Sequence, residues 1–478
     1  MDQSLDYATA PSNRGSKGLY WMILNGACSW GFAFLSIFLM ARIFGKEKFG
    51  TYSILIACYN FCIEGMEMGL GPLLVRELPN HAEPPQFLCS TLIIKSSLGV
   101  FFFTVLLIVG FFITDSILFW GLVSVAFSAL IGFSFQTMLS VAQSREKWHI
   151  VALLNISRQA LNFLAALIIF LLAFVPIVYW PTFACINFLL AVVSFRWLLR
   201  EVGLAKPDWT TIKFIFAESS FVGLSLLAGS LCNKFDLFYL TKFATDQSHS
   251  LFSGAYTLYF YALGIVTIWI ISLFPLTAKT NDDKHFSVLK ESANFFLTLS
   301  YLGFLLWFFF GEEIGSLVFG NSFVGISSLM KIFCIILPFQ AIDMFLDCLF
   351  ILKKKTTRWL TIALLQLTIN VLGNLWAIPT FGIWGPLAVR GATEGFGIII
   401  KLFSLKYLFS SRSFLYWIKD PIECGLIALL IYGLISLTIP ISPIIAKMLF
   451  CTAVILILLR LNNRYSNLTF ALKESPSS

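Results

Sequence analysis

Fourteen apolar stretches run almost end to end through this chain, and several carry a charged residue near the middle. A membrane-spanning helix needs about 20 consecutive apolar residues. The spans read as 19–43, 49–74, 87–113, 116–142, 149–174, 177–198, 214–241, 252–276, 293–310, 327–351, 359–379, 382–407, 417–438 and 442–461. Only 12% of the 478 residues are charged and 58% are hydrophobic. A soluble domain carries roughly 25% charged residues, so an ordinary soluble fold is excluded. The expected fold is an all-α polytopic membrane protein. A charge at the bilayer centre costs at least ~2.5–3.5 kcal/mol unless it is paired or solvated. The mid-span charges therefore predict a helix bundle with a wet or ion-paired interior.

The lysines and arginines set the expected orientation. With the N-terminus in the cytoplasm, 23 of them fall on the inner side, including the Lys353-Lys354-Lys355 run and Lys401. Four fall outside: Arg42, Lys46, Lys48 and Lys242. The net charge of +8 is thus a topology signal suited to an anionic inner leaflet, and no nucleic-acid partner is implied. The polar N-terminus lacks a cleavable signal pattern, so the first span is expected to act as an uncleaved signal. Both termini are expected on the cytoplasmic side of the cell (inner or plasma) membrane. The ten cysteines form no C-x-x-C pair and read as small apolar packing residues. No loop exceeds roughly 17 residues, which leaves no room for a soluble catalytic domain. No cofactor, P-loop, G-x-S-x-G or H-E-x-x-H pattern is present, and the chain is not expected to be an enzyme.

A weak internal repeat crosses the polar loop at 200–213. Arg42 is followed by Phe49-Gly50-Thr51-Tyr52, and Lys242 by Ser253-Gly254-Ala255-Tyr256. Six helices per half would make the repeats parallel, related by a pseudo-twofold axis along the membrane normal. The expected organisation is an N-terminal lobe (1–199), a cytoplasmic linker (200–213), a C-terminal lobe (214–408), and an appended helix pair with a polar tail (409–478).

Three segments, in order, resemble a known family. Met40 to Tyr52 reads MARIFGKEKFGTY, Asn233 to Leu240 reads NKFDLFYL, and Asn370 to Gly385 reads NVLGNLWAIPTFGIWG. These resemble, respectively, the outer turn, the seventh helix and the helix-11-to-12 turn of polysaccharide and O-antigen flippases. Those flippases belong to the multidrug/oligosaccharidyl-lipid/polysaccharide flippase superfamily. The chain departs from the pattern in its fourteen spans, where many O-antigen flippases have twelve, and in Gly385-Pro386-Leu387-Ala388 after the turn. The resemblance implies alternating-access transport of a lipid-linked oligosaccharide from the inner to the outer leaflet. The two lobes would rock about a central cavity.

The candidate site residues follow from depth and chemistry. Lys95, Arg158, Lys234 and Arg390 lie well inside their spans, where cations and forked donors would meet a diphosphate headgroup. A structural ion pair or snorkelling toward the interface is the bland alternative. Asn155 and Asn162 share a helix face with Arg158, and a polar stripe on a membrane helix should face protein or water. Arg390 and Glu394, four apart, could neutralise each other. Lys234 and Asp236, two apart, point to different sides, so Asp236 needs another partner. By resemblance to lipid II flippases, Asp236, Asn370, Asn374, Thr393 and Glu394 fall on the helices of a sodium site, with oxygen ligands suited to a hard cation. Glu64 with Glu67, and Asp343 with Asp347, are like-charge pairs suited to proton coupling or to an interface beside basic loops. The coupling ion is left as sodium or a proton. A multidrug/cation antiporter of the same superfamily is the alternative function, disfavoured by mid-membrane arginine. A membrane glycan polymerase or ligase is disfavoured by the short outer loops.

Overall fold

The computed structural model describes residues 12–113, 115–278, 307, 310–320, 323–353 and 355–405. Among these residues the regular structure is entirely helical. The helices are α1 (Ser12–Glu67), α2 (Leu70–Glu77), α3 (Pro84–Phe111), α4 (Ser116–Ser144), α5 (Trp148–Leu171) and α6 (Tyr179–Glu201). They continue with α7 (Trp209–Leu240), α8 (Asp246–Ala278), α9 (310–319), α10 (Ile326–Leu352), α11 (Thr356–Phe381) and α12 (Gly385–Leu405). Eight helical stretches among the described residues are long and apolar enough to cross a membrane. The protein is an all-α, multi-pass membrane protein. Spans 417–438 and 442–461, most of span 293–310, and the tail 409–478 lie outside the described residues.

Two long stretches resolve into pairs of helices at breaks that the sequence encodes. A continuous 56-residue helix would be about 84 Å long, nearly three times the hydrocarbon thickness. It is interrupted at Gly45, where φ is 66° and ψ is 176°, a conformation that a side chain disfavours. The chain folds back locally there. The Phe44 and Tyr52 rings are 5.3 Å apart, whereas eight residues of straight helix advance about 12 Å. The second break follows Pro379 in α11 and runs through a 3-10 turn at Gly382–Trp384. Gly385 then packs against the preceding turn so closely that a Cβ would lie 2.5 Å from the Ala377 carbonyl oxygen. Gly385→Ala is expected to lower the unfolding midpoint in detergent, at a cost of about 1–3 kcal/mol for overpacking. A midpoint equal to wild type would show that the backbone gives way.

The second expected span, 49–74, differs in its inner part. Its helix ends at Glu67, and Met68 and Gly69 take positive φ before α2 begins. The αL step re-aims the chain, so α2 is a separate helix. Other starts follow ordinary capping chemistry. The Asp115 carboxylate accepts hydrogen bonds from the backbone N–H groups of Ile117 and Leu118. Asp208 does the same for Thr211 at the start of α7. Hydrogen bonds from the Thr210 hydroxyl and the Thr211 backbone hold the Asp208 carboxyl below its ordinary range.

The chain forms two compact units, Met1–Lys234 and Phe235–Ser478, with the boundary inside α7. In the first unit, Leu70, Leu73, Leu74, Phe87, Leu88, Met138, Val141, Leu198 and Ile215 form one buried cluster. This joins α2, α3, α4, α6 and the start of α7. An aromatic cluster of Phe44, Phe49, Tyr52, Tyr179, Trp180 and Phe183 packs the Gly45 break against α6. Membrane helices associate through packing of this kind more than through exclusion of water. Cys62 and Cys89 in this unit, and Cys334 and Cys348 in the other, are buried free thiols, and Cys424 and Cys451 lie outside the described residues.

Candidate functional site

Among the described residues most of the buried cations lie in ion pairs, and Arg158 does not. In the first unit, Lys95 on α3 is fully buried, and its Nζ lies 2.6 Å from Glu67 Oε1 on α1. Lys234 on α7 is 2.6 Å from Glu64 Oε2. Ser230 donates to the same carboxylate and accepts from Lys234 at 2.7 Å. The like-charged Glu64 and Glu67 thus have one lysine each. Charge-assisted hydrogen bonds of this length satisfy both partners, so neither lysine is an open cation.

Arg158 differs. It sits near the middle of α5, half-buried. Its guanidinium lies 5.1 Å from the centroid of the Phe135 ring, within cation–π range. Its other described neighbour is the Tyr59 hydroxyl, which donates to Asn187 Oδ1 at 3.2 Å. Asn187 in turn donates to the Phe183 carbonyl at 2.9 Å. Among the described residues no carboxylate lies within ion-pair distance of Arg158. Asn155 is half-buried one turn earlier. Asn162 is buried one turn later, and its Oδ1 has no hydrogen-bond partner among the described residues. Three polar side chains thus share one helix face, with the arginine fork between two amides.

In the second unit Arg390 and Asp236 find each other. Arg390 Nη2 is 2.6 Å from Asp236 Oδ2, and both side chains are almost wholly buried. Asp236 Oδ1 also accepts from the Leu237 backbone N–H at 2.8 Å. The guanidinium lies over Tyr256 and Tyr259, 5.1 and 5.8 Å from their ring centroids. This pairing gives Asp236 a partner on α12. Of the other expected ion-site residues, Asn374 donates to Asn370 Oδ1 at 3.0 Å. Thr393 spends its hydroxyl on the Val389 carbonyl at 2.8 Å, and Glu394 is buried on α12.

One charged residue was missed as a site residue by the sequence reading. Lys401, counted with the inner-side basic residues, is 1% exposed and lies 2.6 Å from both Asp343 and Asp347 on α10. The signal that could have found it is its spacing from Arg390 and Glu394, eleven and seven residues, which places all three near one helix face. Among the described residues no group of three or more His, Cys, Asp or Glu side chains is arranged to hold a metal ion.

Comparisons with known proteins bear on the family and on the fold. Residues 16–281, more than half of the chain, match the model of a family described as polysaccharide biosynthesis protein. No curated protein sequence matches the chain. Among solved structures, the chain is similar to the lipid II flippase MurJ in an inward-closed conformation. That match has a TM-score of 0.68 and 15% identity, over 95% of this chain and 99% of that one. It is also similar to a transporter of the multidrug and polysaccharide superfamily from Pyrococcus furiosus (TM-score 0.61, 12% identity, 84% and 98% covered). The multidrug transporter DinF-BH is a third (0.61, 14%, 87% and 98%). At these identities the structural likenesses establish the fold. The family model carries the sequence relationship, and the chain belongs to the polysaccharide biosynthesis protein family.

Proposed function

We propose that the protein is a flippase for a lipid-linked oligosaccharide, moving a polyprenyl-diphosphate-linked sugar from the inner to the outer leaflet by alternating access. The observation that carries this reading is Arg158, a half-buried cation near the middle of a membrane helix with no carboxylate within ion-pair distance among the described residues. An anionic headgroup would supply the charge that the protein withholds, and the arginine fork matches phosphate geometry. Asn155 and Asn162 flank it with amides suited to sugar hydroxyls. Lys95 and Lys234, each already paired, would shape the potential around the headgroup and contact it secondarily. Arg390, paired with Asp236, would hold α7 to α12, with Asn370, Asn374, Thr393 and Glu394 nearby for ion coupling. Membership of a polysaccharide biosynthesis family supports the same cargo, and so does the fold shared with a lipid II flippase.

On this reading the chain acts in the cell membrane with both termini cytoplasmic. It performs transport without covalent chemistry, and its partners are membrane lipids and a coupling ion. A cation antiporter would instead need open carboxylates facing its cavity. In the described residues Asp236, Asp343 and Asp347 are all engaged by protein cations.

The test is transport by the full-length chain in proteoliposomes. A fluorescent polyprenyl-diphosphate oligosaccharide is expected to reach the opposite leaflet, where an impermeant quencher reports it. A cationic dye offered in the same vesicles is expected to be ignored. Dye efflux without oligosaccharide movement would overturn the proposal in favour of the antiporter.

A further inference from the structure

The two like-charge acid pairs have different fates. Glu64 and Glu67 are matched by Lys234 and Lys95, two acids to two lysines. Asp343 and Asp347 share the single ammonium of Lys401, at 2.6 Å each. Among the described residues the triad therefore sets two carboxylates against one ammonium in a largely buried setting. Side-chain exposure is 1% for Lys401 and 10% for Asp343, and it rises to 25% at Asp347. Two ionised carboxylates around one ammonium are costly there, and one proton brings the sum to zero.

A second observation concerns the deeper of the two acids. Asp343 Oδ1 is buried and has no hydrogen-bond partner among the described residues. It faces Gly397 of α12, where a Cβ would stand only 3.0 Å away. The Gln366 amide of α11 sits over the same glycine and lies 3.5 Å from the other Asp343 oxygen. The absent side chain lets the Gln366 amide close over Gly397 beside that carboxylate, and an amide can turn to accept or donate.

We infer that Asp343, Asp347 and Lys401 form a proton-binding site, in which Lys401 stands as a built-in cation and the two aspartates share one exchangeable proton. Asp347, the more exposed acid, is the point of entry. Asp343 lies one helical turn deeper and is the less exposed of the two. The groups facing the triad are consistent with a proton as its occupant. From α12 come Arg390, Glu394 and Lys401, and from α11 Gln366 and the Trp359 indole, which donates to Asp347. From α10 there is Cys348, and beyond Arg390 lie Asp236 of α7 and Tyr256 and Tyr259 of α8. A sodium ion here would sit against an ammonium, whereas a proton adds no second cation centre. The inference deepens the coupling step of the proposed transport cycle and rests on that reading for its use, but not for its test.

The test is infrared difference spectroscopy of the full-length protein in proteoliposomes during a pH titration, with no transported lipid present. The wild type is expected to show a protonated-carboxyl band at neutral pH that disappears as pH rises. Asp343→Asn and Asp347→Asn are each expected to abolish it, because one aspartate is then matched by Lys401. Lys401→Met is expected to move the disappearance upward by about one pH unit or more. The paired single variants guard against one of them failing to fold, and thermal unfolding reports which are intact. A wild type with no such band, or a band that survives in both folded asparagine variants, would overturn the site. So would a band removed by sodium chloride but not by choline chloride. Failure of oligosaccharide transport with these spectra intact would instead count against the flippase reading.

Discussion

Arg158→Ala is expected to lower oligosaccharide transport by roughly 10- to 150-fold while leaving the folded protein about as stable as wild type. The magnitude is that of losing hydrogen bonds to a charged group, about 1.5–3 kcal/mol. The unchanged stability follows from the surroundings. Arg158 touches an aromatic face and a tyrosine hydroxyl, so its removal strands no buried carboxylate. Arg158→Lys keeps the charge but loses the planar fork, and an intermediate rate is expected. Initial rates in the proteoliposome assay, read beside thermal unfolding of the same preparations, check both halves. Wild-type transport by Arg158→Ala would remove the central support for an anionic cargo.

Arg390 is expected to behave in the opposite way. Arg390→Met leaves Asp236 ionised, buried and alone, a change that costs about 3–5 kcal/mol when one partner of a buried pair is removed. The result should be a large loss of folded protein before any transport rate is read. Asp236→Asn should be milder, because the guanidinium keeps its places over Tyr256 and Tyr259. The double variant Asp236→Asn/Arg390→Gln is expected to recover much of the loss, as neutral amides replace a matched pair. A double-mutant cycle closed with the single variants Asp236→Asn and Arg390→Gln in detergent-solubilised protein should give a coupling of about 1–3 kcal/mol. A stable but inactive Arg390→Met protein would instead assign Arg390 to the cargo.

These two arginines looked alike in the sequence. Both lie near the middle of an apolar span, and both have polar neighbours four residues away. What separates them is a carboxylate that arrives from elsewhere in the chain. Asp236 is 154 residues from Arg390. Glu64 is 170 residues from Lys234, and Asp343 is 58 residues from Lys401. Local spacing offered Arg390 only a pair within its own helix, with Glu394, and Lys401 passed as one more inner-side lysine. Conversely, the polar stripe of Asn155, Arg158 and Asn162 was legible, because residues three and four apart share a face whatever the tertiary fold.

The sequence by itself determined the membrane class and the order of helices. Apolar length and the need to satisfy every backbone group inside a bilayer leave little choice but helices. It also marked the breaks at Gly45 and at Pro379 to Gly385, where backbone constraints are local. Only the tertiary structure decided which buried charges are settled and which are not. Ion pairing depends on distances of a few ångströms between helices far apart in the chain, and apolar periodicity carries no record of them. From that geometry come, among the described residues, an arginine without a carboxylate in one unit and an aspartate pair on a single lysine in the other.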